Sequence, residues 1–263
     1  MRYVISDVHG CFDEFREMLR KIRFSPDDRL ILAGDHIDRG KQSLEMLRWL
    51  ETCPPNVTPL KGNHDAEFAD SVGLMTGTDA GESLGTDPDS NADAVALYES
   101  VRYLLKGRDA SQFFDRYGTI SDLLFHWGAA FRDLCSWAVL LNSYPIFCRF
   151  PVGNRDCVVV HAGFCDGNSG LRGNYESPEE FMLYARDDAL TIGGVDNGLI
   201  IAGHTPTIAP GSIFYTGGRV FRYHNEKRDC VFYDIDCGCA YREHRPAGKL
   251  ACLRLEDERV FYV

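Results

Sequence analysis

Residues 1–40 read MRYVISDVHGCFDEFREMLRKIRFSPDDRLILAGDHIDRG, and this stretch decides the fold. Tyr3-Val4-Ile5 is a short apolar run that stops at Ser6-Asp7-Val8-His9-Gly10. Phe12, Phe15, Met18, Leu19 and Ile22 then recur at helical spacing. A second apolar run, Leu30-Ile31-Leu32-Ala33, stops at Gly34-Asp35-His36-Ile37-Asp38-Arg39-Gly40. Continuous apolar runs of this length suit strands buried on both faces. Strand-helix-strand alternation implies an α/β sheet, in which ligand sites gather beyond the carboxyl ends of the strands.

The same signal recurs three times. Val57 to Leu60 leads to Lys61-Gly62-Asn63-His64-Asp65, Val158-Val159-Val160 to His161-Ala162-Gly163, and Leu199-Ile200-Ile201-Ala202 to Gly203-His204-Thr205-Pro206. All five polar clusters would fall on one edge of the fold. Leu44, Leu47 and Leu50 mark a second helix, and Ser177-Pro178-Glu179-Glu180 is a helix start with an N-cap, a proline at the first position and a capping-box glutamate. Further strands are expected at Val231 to Ile235, Leu250 to Leu255 and Val260 to Val263. Ser71 to Asp93, with Gly73, Gly77, Gly81 and Gly85 at intervals of four, reads as an acidic loop. The aromatic-rich stretch from Ala94 to Phe147 reads as helical. The expectation is one domain over 1–263, with the acidic loop and a helical insertion at about 70–150.

Composition narrows the function classes. Hydrophobic residues make up 44% of the 263, enough for a buried core. No apolar stretch approaches the ~18 residues of a membrane span, and Met1-Arg2 leads straight into Tyr3-Val4-Ile5 without a signal-peptide pattern. A cytoplasmic protein with no membrane partner is expected. The ten cysteines include no C-x-x-C pair, so they are expected to be reduced and mostly buried thiols. A net charge of −11 disfavours polymeric nucleic acid as a partner. The excess is concentrated between Gly62 and Val101, which holds nine acids and no Lys or Arg. Its ordinary reading is a solvated loop. Its functional reading is a segment over the site that repels polyanions and favours phosphosites flanked by basic residues, testable by replacing Asp79, Glu82, Asp87 and Asp89 with Ser.

Pooled, the clusters offer Asp7, His9, Asp35, Asp38, Asn63, His64, His161 and His204. Taken singly, each is ordinary turn chemistry, a local ion pair or a satisfied buried histidine. Three carboxylates, four imidazoles and an amide in one place are costly without a cation. Two divalent metals about 3.5–4 Å apart, bridged by one carboxylate, would resolve this. Mixed N and O ligands suit Mn, with Fe or Zn as alternatives, better than Ca or Mg. Such a site supplies hydroxide at neutral pH, and Arg39 offers a fork of donors for phosphate oxygens. Phosphoester hydrolysis is the natural reaction. A structural metal site would be closed and rich in Cys, and a nuclease would carry basic charge, so both fit less well.

In this order, Asp7-Val8-His9-Gly10, Gly34-Asp35-x-x-Asp38-Arg39-Gly40, Gly62-Asn63-His64-Asp65, His161-Ala162-Gly163 and Gly203-His204-Thr205 resemble the metallophosphoesterases of the phosphoprotein phosphatase family, more narrowly their small bacterial members. The resemblance runs from Met1 to about Pro206, with Asp234-Ile235-Asp236-Cys237-Gly238 also familiar, and is weak over 71–150. It implies a four-layer α/β fold, a central β-sandwich flanked by helices. It implies one metal on Asp7, His9 and Asp35, and a second on Asp35, Asn63, His161 and His204, with Asp35 bridging. His64, oriented by Asp38, would protonate the leaving oxygen. Arg39 would bind the phosphoryl group, joined by Arg186 in Leu183-Tyr184-Ala185-Arg186.

Asp65 and Ala162 stand where protein phosphatases more often show Glu and Gly, and both look like the symmetrical dinucleoside tetraphosphatase branch. Asp38, intact, looks like a protein phosphatase. On balance the resemblance favours a phosphorylated protein or peptide as substrate, with dinucleoside tetraphosphates or other small nucleotides as the alternative. His126, His224 and His244 match no motif.

Overall fold

In the computed structural model, which describes residues 1–77, 87–108, 112, 114–166 and 175–263, the apolar runs build two sheets. The first contains β1 (Arg2–Ile5), β2 (Arg29–Leu32), β3 (Val57–Pro59), β9 (Ala251–Arg254) and β10 (Arg259–Tyr262), in the order β10-β9-β1-β2-β3. Strands β1, β2 and β3 are parallel, while β9 runs antiparallel to both β1 and β10. The second contains β4 (Phe147–Val152), β5 (Arg155–Val160), β6 (Gly198–Ala202), β7 (Phe221–Asn225) and β8 (Cys230–Asp234), in the order β4-β5-β6-β8-β7. Its three central strands are parallel and its two edges antiparallel.

The period of two along each strand makes the layers. Val4, Ile31, Cys157, Val159, Leu199, Ile201 and Val231 face inward and form the core between the sheets. Tyr3, Ile5, Leu30 and Leu32 face outward onto Phe15 and Met18 of α1 (Phe12–Ile22) and Leu47 of α2 (Ser43–Glu51). On the far side, Val158, Val160, Ile200 and Phe232 cover Phe181 and Met182 of α7 (Pro178–Tyr184). The result is the four-layer α/β arrangement expected, with two mixed sheets between helices.

Strands β4 and β7 fall outside the expected set. Both are sheet edges: β4 alternates exposed and half-buried residues and β7 is exposed at its three middle positions, so neither gives a continuous buried apolar run. The acidic loop also begins later than expected. Helix α3 (Asn63–Thr76) continues through Ser71 because Phe68, Val72 and Met75 are buried at helical spacing. At its other end, α4 (Asn91–Leu104) starts inside the expected loop, capped by the Ser90 hydroxyl. Gly81, Gly85, Asp79 and Glu82 lie outside the described residues. Asp89 pairs with Arg132 of α6 (Phe131–Asn142) at 2.5 Å. Between α4 and α6 lies α5 (Thr119–Phe125), and α8 (Asp188–Thr191) follows α7. No helix among the described residues is long and apolar enough to cross a membrane.

Candidate metal centre

The strand ends of both sheets deliver their polar clusters to one place. Asp7 and His9 follow β1, Asp35, Asp38 and Arg39 follow β2, and Asn63 and His64 open α3 just after β3. His161 follows β5 and His204 follows β6. Tight reversals are needed there, and Asp7, His9, Asp35 and His204 have φ of 53°, 47°, 53° and 72°, a left-handed backbone costly for residues with a Cβ. Gly62 meets a second demand, since a Cβ there would lie 2.2 Å from both the nitrogen and Oδ1 of Asp35.

All eight polar groups are buried. Asp35 lies at the centre, with Oδ2 3.4 Å from Nε2 of His9 and Oδ1 3.3 Å from Nε2 of His161. Asp7 Oδ1 is 3.8 Å from the same His9 nitrogen, and the His204 amide donates to Asp7 Oδ2 at 3.0 Å. Nε2 of His161 and Nδ1 of His204 converge on Asn63 Oδ1 at 3.0 and 2.9 Å. Two groups, His9 with Asp35 and His64, and Asp35 with His161 and His204, could each hold an ion, and they share Asp35.

The donor set fits divalent metals. His9 Nδ1 meets the Ile37 carbonyl and His161 Nδ1 the Ala33 carbonyl, both at 2.9 Å. A carbonyl only accepts, so each Nδ1 carries the proton and each Nε2 is turned to the carboxylates. Burial, then the neighbouring charges of Arg39 for His9 and His161 for His204, holds both imidazoles well below the usual histidine range. Both are therefore neutral at pH 7, the form in which an imidazole can bind a metal. Burial pushes Asp35 up, but the imidazoles of His161, His64 and His9 outweigh it and hold this carboxyl well below the usual range. At His161 burial opposes charge, and the carboxylates of Asp35 and Asp7 nonetheless push its pKa up to about 10. Positive charge is thus strongly favoured between these carboxylates, and a divalent metal would supply it.

Beside this cluster, His64 Nδ1 lies 2.7 Å from Asp38 Oδ2. Arg39 donates from Nη1 to His9 Nε2 and from Nη2 to His64 Nε2, both at 2.9 Å, and its guanidinium lies between the rings of Tyr117 and Tyr241. Arg186 is exposed just past α7, and its charge reaches His204 and Asp234. The structure therefore brings all ten expected residues to one region, with Arg186 on the rim. Of the unmatched histidines, His224 pairs with Asp229 at 3.0 Å, away from the centre.

Several supporting residues went unassigned in the sequence. Asp65 is fully buried and accepts from the amides of Asp35, His36 and Gly62 at 3.1, 3.2 and 2.8 Å, and its Oδ2 lies 2.9 Å from His36 Nδ1. It ties the β2 and β3 loops together. Glu67, one turn after Asn63, accepts from Asn63 Nδ2 at 3.1 Å, which aims the amide oxygen at His161 and His204. Helical i, i+4 spacing was the available signal for Glu67. Asp236 is buried, and burial with the nearby Asp7 charge pushes its carboxyl well above the usual range.

The sequence profile described as calcineurin-like phosphoesterase matches residues 2–233. The chain is 45% identical over 289 aligned residues to the symmetrical bis(5'-nucleosyl)-tetraphosphatase of Klebsiella pneumoniae (strain 342), covering 98% of this chain and 93% of that one. It is 41% identical over 91 residues to the protein of the same name from Haemophilus ducreyi, where the match covers 33% of this chain and spans 34% of the relative's length. A solved structure described as a candidate diadenosine tetraphosphatase superposes with a TM-score of 0.56 at 16% identity, covering 100% of this chain and 92% of that one, which is a likeness of fold.

Proposed function

This chain belongs to the calcineurin-like phosphoesterases, and from that premise we propose that it hydrolyses symmetrical dinucleoside tetraphosphates to two nucleoside diphosphates. The observation that carries this reading is the similarity over 98% of the chain to a relative of that name. Of the two substrates the sequence left open, the small nucleotide is therefore preferred over the phosphopeptide, and Asp65 and Ala162 were the better clues.

We assign Asp7, His9 and Asp35 to one metal and Asp35, Asn63, His161 and His204 to the other, with Mn preferred and Fe or Zn as alternatives. When bound, the pair lowers the pKa of water and neutralises phosphoryl charge. The chain's own residues do the rest. Arg39 turns its two Nη donors onto phosphoryl oxygens, and a bidentate fork fixes their orientation. That releases Nε2 of His64, which can then take up a proton from water, because burial is outweighed by the charges of Asp35 and Asp38 so that the pKa is raised. His64, held by Asp38 at 2.7 Å, then gives its proton to the leaving oxygen. Arg186, exposed just past α7 with its charge reaching His204, would join Arg39 at the phosphoryl group.

The test uses metal-stripped protein reloaded with Mn²⁺ and compares initial rates on diadenosine tetraphosphate, a phosphoserine peptide and a phosphotyrosine peptide, with Asp35→Asn as blank. Dinucleotide turnover to ADP well above peptide turnover is expected. The reverse order would restore the protein-phosphatase reading, which the intact Asp38–His64 pair favours.

A further inference from the structure

Arg39 borders a hollow of about 370 Å³ that runs between Lys41 and Tyr117 and past Asp122 to His126 and Trp127. This volume lies within the roughly 300–1,000 Å³ typical of small-molecule sites. The inner wall is Tyr117, whose ring centre is 4.5 Å from that of His64 and 5.3 Å from the Arg39 guanidinium carbon. The outer end is Trp127, 46% exposed, with its ring edge-on to His126 at 4.8 Å. An indole left open at the end of a hollow that begins at a phosphate-binding arginine is a stacking platform. Neither His126 nor Trp127 has any part in the metal centre.

We infer that this hollow receives the nucleoside of the departing half of the substrate, with the base on Trp127; the inference rests on the dinucleotide reading above. Tyr117 packs on His64, the proton donor for the leaving oxygen, so the hollow opens on the leaving-group side. The lining carries the groups that a nucleoside diphosphate would need. Arg39 meets phosphates, with Lys41 at the edge, exposed and paired with Glu243 at 2.6 Å; the exposed Asp122 carboxylate can accept from ribose hydroxyls or an exocyclic amine, and the indole meets the flat base. Base–aromatic stacking changes affinity by roughly tenfold or more when the ring is removed.

The test is binding of ADP and of inorganic pyrophosphate to the Mn²⁺-loaded full chain, for wild type, Trp127→Ala and Trp127→Phe, by titration calorimetry and indole fluorescence. ADP should bind at least tenfold more tightly than pyrophosphate and quench the emission. Trp127→Ala should abolish that preference and Trp127→Phe should keep most of it. The ratio of kcat/KM on diadenosine tetraphosphate to that on p-nitrophenyl phosphate should fall at least tenfold in Trp127→Ala. ADP that leaves wild-type emission unchanged, or binds Trp127→Ala within twofold of wild type, overturns the inference. Wild type that cleaves the dinucleotide while Trp127→Ala keeps the same ratio overturns it and leaves the proposed function standing. ADP bound through Trp127 without dinucleotide cleavage supports the hollow and sinks the substrate assignment.

Discussion

Thr119 donates its hydroxyl to Oδ1 of Asp38, whose Oδ2 lies 2.7 Å from His64. The two partners are 81 residues apart in the chain. Thr119 is the first residue of α5, so the helical stretch between the sheets' strands reaches the Asp38–His64 pair and fixes its carboxylate. Thr119→Val keeps the shape and removes the donor. Loss of such an outer partner costs about 10- to 100-fold, so kcat should fall at least tenfold with metal content unchanged. Steady-state rates beside metal analysis would show it; an unaltered kcat removes Thr119 from the site.

His64→Asn should lower turnover by roughly 10²–10⁴-fold, the range for a positioned general acid. The loss should grow as the leaving group becomes poorer, steepening the dependence of log kcat on leaving-group pKa. Full activity on an alkyl phosphate would take the proton-donor role from His64.

Asp65→Ala should weaken the fold rather than the chemistry. It strands three buried backbone amides, of Asp35, His36 and Gly62, together with the His36 ring. Removing one partner of a buried, charge-assisted set costs about 3–5 kcal/mol. Urea unfolding of the metal-free protein reads this directly, and a change below about 1 kcal/mol would mean that the loops hold without this bracket.

Gly203→Ala acts on the metals. The new Cβ would lie 2.0 Å from the Ser6 hydroxyl and 2.1 Å from Asp7 Oδ2. Both are side-chain atoms and can give way, so the fold survives while Asp7 is pushed from its place. We expect less bound Mn²⁺ than wild type by elemental analysis, with a near-normal circular dichroism spectrum. Full metal content in the variant would show that Asp7 is dispensable as a ligand.

Metal removal should expose a pH dependence at His161, whose pKa in the metal-free protein is pushed up to about 10 by the carboxylates of Asp35 and Asp7 against the cost of burial. A histidine raised in the folded state contributes its full stabilisation below about pH 6.5, and loses it as pH rises through about 10. Metal-free protein should therefore lose thermal stability across that window. Mn²⁺ uptake at pH 7 should release about one proton, seen by calorimetry in buffers of different ionisation enthalpy. Uptake with no proton release would place a neutral imidazole there before the metal arrives.

Five strand ends were legible because buried parallel strands need continuous apolar runs and the polar groups must wait until the strand stops. Asp7, His9, Asp35, Asn63, His161 and His204 could therefore be collected before any contact was known. The edge strands Phe147–Val152 and Phe221–Asn225 were not legible, since a half-exposed edge carries no such run.

Residue type and spacing alone pointed to an α/β sheet with metal-ligating residue types at its strand ends, because both follow from local burial and short-range order, while the layered sandwich was what the family resemblance implied. Only the tertiary structure decided what holds that chemistry in place. Asp65 bracketing the β2 and β3 loops and Thr119 on Asp38 are contacts across 29–81 positions of chain. A hydrogen bond between such distant groups depends on how helices and sheets pack, and no periodicity along the chain encodes it. The open indole of Trp127 is of the same kind: the residue was always visible, but its place in the hollow that Arg39 borders came only with the fold.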